Sequence, residues 1–200
     1  MIVKKDWPDY NQYKMKTLVI IPTYNEAENV KLTIRAVLDS VPGIEVLIVD
    51  DNSPDKTWRK VQKLKRENKR VHLIKNKVKV GLGPACMVGF IFALGRKFDY
   101  IIQMDCDFSH DPKMIPTLLS YAKKFDFVVG SRYTEGGRVT GWEKRRLLLS
   151  NLGNRYARLF LGRKIKDWTS GFICWKEKTL RSIDLDIEDY PQWPCFFNQP

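Results

Sequence analysis

Short blocks of consecutive apolar residues alternate along this chain with longer stretches in which apolar residues recur every three or four positions. Thr17 to Pro22 (TLVIIP) is a β-branched run closed by proline and predicts a buried strand. Asn25 with Glu28 three residues on has the form of a capping box, and Val30, Ile34, Val37 and Leu38 follow at helical spacing. Ile44 to Val49 predicts a second strand, and Ser53-Pro54-Asp55 a turn and helix start. The helix that follows has Trp58, Val61 and Leu64 on its apolar face and Lys60, Lys63, Arg66 and Lys69 on its wet one. Val71 to Ile74, Tyr100 to Met104 and Phe127 to Val129 predict three more strands. An apolar helix entered through Gly81-Leu82-Gly83-Pro84 and a helix from Pro112 to Lys124 lie between them. The strands are continuously hydrophobic rather than alternating. That pattern predicts an α/β domain with a mostly parallel sheet covered on both faces by helices.

Beyond Arg132 the character changes. Glu135-Gly136-Gly137 reads as a loop. Lys144 to Arg163 reads as a basic amphipathic helix, with Leu148, Leu152, Tyr156, Leu159 and Phe160 on one side and Arg145, Arg146, Arg155, Arg158 and Arg163 around it. Such a helix is either a solvated surface element or a contact for an anionic membrane surface. Residues 1–16 form a polar N-terminal extension without the apolar core of a signal peptide, and residues 191–200 form an irregular, aromatic- and proline-rich tail.

Composition narrows the function class. Lys and Arg number 35 against 23 Asp and Glu, a net charge of +12, which favours anionic partners. A nucleic-acid partner would account for the charge, but the basic residues are spread over helix faces and form no recognised binding motif. The four cysteines contain no C-x-x-C pair and there are two histidines, which disfavours a zinc site and leaves a reducing, cytoplasmic setting as the expectation. No run of about 18 apolar residues is present, so no membrane-spanning helix is expected.

In an open parallel sheet, ligands bind beyond the carboxyl ends of the strands. Those ends deliver Thr23-Tyr24-Asn25-Glu26, Asp50-Asp51, Asp105-Cys106-Asp107 and Ser131-Arg132-Tyr133 to one rim. Asp105 and Asp107, two apart just past a buried strand, suit Mg2+ or Mn2+ shared with substrate phosphates. Asp50 and Asp51 are either helix-capping acids or acceptors for a ribose or base edge. Cys106, between two acids that would raise its thiol, reads as a space-filler rather than a nucleophile. His110 carries no assignment. The first loop, TYNEAEN, contains no glycine and there is no Walker A motif. A dinucleotide-dependent dehydrogenase, a P-loop enzyme and a nucleotidyltransferase with a Gly-rich first loop are therefore disfavoured.

Taken together in order, IPTYNEAENV, VLIVDDNSPDKTW, GLGPA, MDCDFSHDP, VVGSRYTEGG, RRLLLSNLGN and DWTSGF closely resemble the family 2 glycosyltransferases of the GT-A fold. The resemblance is to the dolichol-phosphate mannose synthase branch, and it covers about Thr17 to Lys176. It implies a Rossmann-like GT-A domain over residues 17–190, shortened at its C-terminal end. It places Pro22, Tyr24, Glu26, Val49, Asp50, Asp51, Gly81, Asp105, Cys106 and Asp107 around the donor nucleotide, with Asp51 at the guanosine part. Asp105 and Asp107 hold the metal, Mg2+ or Mn2+. Arg132, Arg146 and Ser150 grip a lipid phosphate, and Asp107 and Arg132 are the catalytic pair. Asp167 to Phe172 lies behind the acceptor loop. The implied reaction is inverting transfer of a hexose, with GDP-mannose the favoured donor and UDP-glucose the alternative, onto a polyprenyl or dolichyl phosphate. The protein would sit on the cytoplasmic face of the membrane in peripheral contact with its anionic surface. The other reading is a non-catalytic remnant that binds a nucleotide sugar or lipid phosphate.

Overall fold

The structure is a computed structural model that describes residues 15–133, 152–157, 159–160, 162 and 165–183. Four strands alternate with helices through its first half: β1 (Thr17–Thr23), α1 (Val30–Leu38), β2 (Glu45–Asp50), α2 (Thr57–Glu67), β3 (Val71–Lys75), α3 (Leu82–Gly95) and β4 (Tyr100–Gln103). A 3-10 turn (Pro112–Met114) leads into α4 (Ile115–Ala122) and β5 (Phe127–Val129). Residues 152–157 and 159–160 are helical and are called α5. The described chain closes with β6 (Ile173–Lys176) and α6 (Glu177–Ser182).

The described strands form one six-stranded sheet in the order β3-β2-β1-β4-β6-β5. β1, β2, β3 and β4 are parallel, while β6 runs antiparallel to both β4 and β5. The mostly parallel sheet expected from the hydrophobic runs is present. The antiparallel β6 is an addition, because ICWK is too short and mixed to stand out as a strand by periodicity. Side chains of β1 alternate between two cores. Val19 and Ile21 face α1, α2 and α4, while Leu18 and Ile20 face α3 and α6. Burial on both faces is why the strand reads as an unbroken apolar run. On one face α3 approaches so closely that a Cβ at Gly89 would lie 2.3 Å from Ile20 Cγ2, so glycine is needed there for contact.

Several boundaries differ from the sequence reading, and three have a clear cause. Pro22 lies inside β1 rather than ending it. Thr23 O accepts from Asp51 N and Ile20 O from Met104 N, so alternate residues face β2 and β4. Pro22 shares the side of Ile20, beyond the last β4 pair, where its missing N–H costs no ladder bond. Helix α1 begins at Val30, not after Asn25, because Asn25 adopts a left-handed conformation (φ 61°) that asparagine tolerates. Helix α2 begins at Thr57, after Lys56, which is also left-handed (φ 62°). Of the expected basic helix, Arg145, Arg146, Leu148 and Ser150 lie outside the described residues, as do residues 184–200. None of the described helices is long and apolar enough to cross a membrane.

Candidate active site

The sheet brings Thr23, Asp50 and Gln103 to one rim, where β1, β2 and β4 end side by side. The loops leaving β1 and β2 are stitched together. Asn25 N donates to Ser53 Oγ (3.1 Å), Glu26 N to Thr57 Oγ1 (3.0 Å) and Ala27 N to Asp55 Oδ2 (2.9 Å). Asp55 also accepts from Thr57 N (2.9 Å), closing the turn that leads into α2. Burial would raise its carboxyl, but the bonds from Thr57 and Ala27 outweigh that and hold it below the ordinary value.

The two adjacent acids have different duties. Asp50 is fully buried and accepts from Ser53 N (2.9 Å), Ser53 Oγ (2.7 Å) and Thr23 Oγ1 (3.2 Å), a structural capping role. Asp51 is 4% exposed and accepts from Val80 N (2.8 Å), Gly81 N (2.8 Å) and Asn76 Nδ2 (3.0 Å). It thereby ties the β3–α3 loop to the end of β2 and brings Asp51 and Gly81, both expected at the donor nucleotide, into direct contact. Tyr24 projects from the same rim with Lys79 Nζ 3.6 Å over its ring. Pro22 and Val49 are buried strand residues next to the rim.

The β4–α4 loop holds Asp105 and Asp107. Phe108, left-handed at φ 59°, turns the chain sharply so that Ser109 N donates back to Asp107 Oδ1 (3.0 Å). Burial would push the Asp107 carboxyl up, but hydrogen bonds from Ser109 and the nearby His110 hold it below the usual carboxylate range, so it is ionised at neutral pH. Asp105 is framed from two sides. Its backbone N–H donates to His110 Nδ1 (3.0 Å), which places the proton of the neutral imidazole on Nε2. Its carboxylate lies where a Cβ on Gly171 would stand 3.2 Å from Oδ2. The His110 ring stacks on Phe172 (centroids 5.1 Å apart, 13° between planes), and burial lowers its pKa. Cys106 is buried, accepts from Thr33 Oγ1 through its carbonyl (3.1 Å) and has a thiol pushed up to about 12, chiefly by burial. It fills space, as the sequence suggests, and is no nucleophile.

Arg132, just past β5, is the centre of a second network. Its Nε and Nη2 donate to the two oxygens of Asp167 (2.8 Å each), and its backbone N–H donates to Asp167 Oδ2 (3.1 Å). Nη2 also reaches Thr169 Oγ1 (2.7 Å). Asp167 is 1% exposed. Burial would raise its carboxyl, but the Arg132 hydrogen bonds and charge hold it well below the ordinary range, and the pairing raises Arg132 in turn. Ser170 Oγ donates to Gly130 O (2.6 Å) and Gly130 N to Phe172 O (2.7 Å). The segment Asp167–Phe172 therefore grips Arg132 with its first residues and frames Asp105 with its last. Arg132 and Asp105 are near enough for each to feel the other's charge.

Of the residues expected at the site, Asp105, Asp107 and Arg132 are grouped on this rim, and Arg146 and Ser150 lie outside the described residues. Sequence alone does not mark Gly171, Phe172, His110 or Asn154 as site residues, because each acts through a contact made across the fold. The one signal is D-x-T-S-G-F itself, whose density of small and polar residues fits no buried strand. Asp105 and Asp107 suit a hard divalent cation whose remaining ligands are diphosphate oxygens and water. Among the described residues no group of three or more His, Cys, Asp or Glu side chains is placed to hold an ion unaided.

The chain resembles an undecaprenyl-phosphate mannosyltransferase from Micrococcus luteus, 41% identical over 86% of this chain and 71% of that protein. It also resembles a dolichol-phosphate mannosyltransferase from Pyrococcus furiosus, 37% identical over 86% of this chain and 49% of that protein, so it spans about half the length of that relative. Glucosyl-3-phosphoglycerate synthase from Mycobacterium tuberculosis, solved with Mn2+, UDP and glucosyl-3-phosphoglycerate, shares its fold. The TM-score is 0.57 at 18% identity, over 82% of this chain and 58% of that one. The GT-A architecture is thus common to both. The sequence pattern described as Glycosyl transferase family 2 matches residues 18–185, and the chain belongs to that family.

Proposed function

We propose that the protein is an inverting glycosyltransferase that moves a hexose, mannose from GDP-mannose in the favoured case, onto a polyprenyl or dolichyl phosphate. The observation that carries this reading is the single segment Asp167–Phe172, which holds a cationic guanidinium and packs against Asp105 of the carboxylate pair. A transferase joining two anionic substrates needs both signs of charge at fixed spacing. The relatives at 37% and 41% identity, named for mannosyl transfer to polyprenyl phosphates, support the substrate class.

Each group has a task in this reading. Asp105 and Asp107 would hold Mg2+ or Mn2+. Such a cation supplies positive charge against the departing nucleoside diphosphate. Tyr24, Glu26 and the Asp51–Gly81 loop would flank the donor nucleoside, and Arg132 would offset the repulsion between the carboxylates and the acceptor phosphate. No strong base is required, because a phosphate monoester with a second pKa near about 6 is already largely dianionic at pH 7. His110 Nδ1 is occupied by the Asp105 amide, and the Cys106 thiol is out of range, in keeping with that chemistry. Arg146 and Ser150 belong to the acceptor side of the proposal. The exposed Leu152, Tyr156, Leu159 and Phe160 of α5, with Arg155 among them, suit peripheral contact with an anionic membrane surface.

The test is radiolabelled GDP-mannose with dolichyl phosphate in detergent or vesicles and added Mn2+. The expected result is a lipid-linked, β-configured mannosyl phosphate. UDP-glucose in parallel decides the donor. Absence of any glycolipid with either donor, alongside retained GDP binding by calorimetry, would instead support the non-catalytic reading.

A further inference from the structure

Helix α5 meets the body of the protein in an unusual way. Among its described residues Leu152, Tyr156, Leu159 and Phe160 are between 55% and 76% exposed, whereas Asn154 is 3% exposed. The buried amide makes three hydrogen bonds. Its Nδ2 donates to Thr169 Oγ1 (3.2 Å) and to Asp167 Oδ1 (3.4 Å), and its Oδ1 accepts from Trp168 N (2.7 Å). The Trp168 amide can only donate, which fixes the orientation of the Asn154 side chain. All three bonds fall on Asp167–Thr169, the residues that hold Arg132.

We propose that Asn154 is a positioning residue for acceptor transfer. By clamping Asp167–Thr169 from α5, it fixes the direction in which Arg132 presents its guanidinium to the acceptor phosphate. The inference rests on the reading of Arg132 as the acceptor-phosphate arginine. The geometry makes the role specific. Thr169 Oγ1 accepts from both Arg132 Nη2 and Asn154 Nδ2 while donating to Asp167 Oδ1 (3.1 Å). Removing the amide leaves the Arg132–Asp167 pair intact and both charges compensated. It removes the bonds that tie the Trp168 amide and the Thr169 hydroxyl to α5, so the 167–169 backbone can shift while Thr169 keeps its bonds to Arg132 and Asp167. The loss therefore falls on orientation and not on charge, and on the acceptor side and not on the donor side. It also links seating of α5, the helix with the exposed apolar face, to the aim of the arginine.

Steady-state transfer by the full chain tests this, with GDP-mannose and dolichyl phosphate varied separately. For Asn154→Ala the acceptor KM is expected to rise about tenfold, the magnitude usual when a supporting hydrogen bond behind a binding group is lost. The KM for GDP-mannose should stay within about twofold, on the same principle that the supporting bond serves only one group. A merely structural role would move both constants together with the thermal midpoint, and that outcome overturns the proposal, as does an unchanged acceptor KM. Thr169→Ser against Thr169→Val gives the second reading should Asn154→Ala not fold. Serine keeps the shared hydroxyl and is expected to retain the wild-type acceptor KM, valine is expected to raise it, and equal constants for the two overturn the proposal. Wild-type protein that makes no lipid product removes the parent reading and this inference with it, which distinguishes that failure from the others.

Discussion

The half of the sheet from β1 to β3 and the half built on β5, β6 and α5 place charge at the same rim by opposite means. In the first, acids lie next to the turns they serve. Asp50 bonds Ser53 three residues away and Asp55 bonds Thr57 two residues away, so these carboxylates are hydrogen-bonded by nearby N–H and hydroxyl groups. In the second, Arg132 finds Asp167 thirty-five positions later and Asn154 reaches Thr169 across fifteen. On the donor side Asp50 and Asp55 are thus held partly by turns beside them, while Asp51 is held by the β3–α3 loop; on the acceptor side the arginine is held by a buried ion pair between distant positions. The contrast implies that removing a turn acid such as Asp55 costs little, whereas removing Asp167 strands a partly buried cation.

The largest effect is expected from Asp107→Asn, which would remove one charge of the carboxylate pair. Transfer should fall at least about a hundredfold while the thermal midpoint stays near wild type, since the group is exposed and donates nothing to the core. A rate within about tenfold of wild type would break the assignment, because loss of one charge-stabilising group costs far more.

Asp167→Asn comes next and acts on stability. Breaking one side of a buried pair strands the other charge, at a cost of about 3–5 kcal/mol measured by denaturant titration. The same pair predicts a pH signature. The Asp167 carboxyl is lower in the folded chain than its ordinary value of about 3.9, so its contribution is fully present above that pH and is lost as pH falls below it. The acid limb of the stability curve should therefore be shallower in the variant. An equal slope would transfer the effect to other carboxylates.

A smaller change should follow Gly171→Ala. The new methyl would stand 3.2 Å from Asp105 Oδ2, and a displacement of a few tenths of an ångström should lower transfer about tenfold with little change in acceptor KM. Smallest is Asp55→Ala, which removes the turn acceptor before α2 and should cost about 1 kcal/mol by thermal melting, with activity largely kept. Were Asp55→Ala to match Asp167→Asn in cost, the contrast between local and assembled halves would not hold.

The same contrast governs how much of the molecule is legible in its sequence. Buried parallel strands announce themselves as apolar runs, and the rim acids follow because they close those runs. Capping roles are also local, yet Asn25 shows their limit. The residue has the right chemistry for an N-cap, but a left-handed backbone serves the turn instead and the helix starts at Val30. Whether Asp50 and Asp51 were caps or ligands could not be settled from the residues alone, since a carboxylate beside Asn52-Ser53 serves either end. In the fold each is buried and accepts three hydrogen bonds, a bracing role that no local spacing distinguishes from a ligand's. Gly171 and His110 are invisible for a different reason: their importance lies in touching Asp105 across the fold, and no spacing along the chain encodes that contact. β6 is missed because a four-residue antiparallel strand gains its identity from its neighbours, pairing with both β4 and β5.

The counter-running β6 has an evolutionary consequence. Since it enters the sheet between β4 and β5, the chain from Gly130 to Phe172 departs and returns at one point, where Gly130 N meets Phe172 O at 2.7 Å. An excursion whose two ends are joined by that bond can change in length without disturbing the sheet beneath it. Insertions there can diversify the molecules that receive the sugar while the machinery for handling the nucleotide is inherited unchanged, and a transplanted excursion should carry its own preference with it.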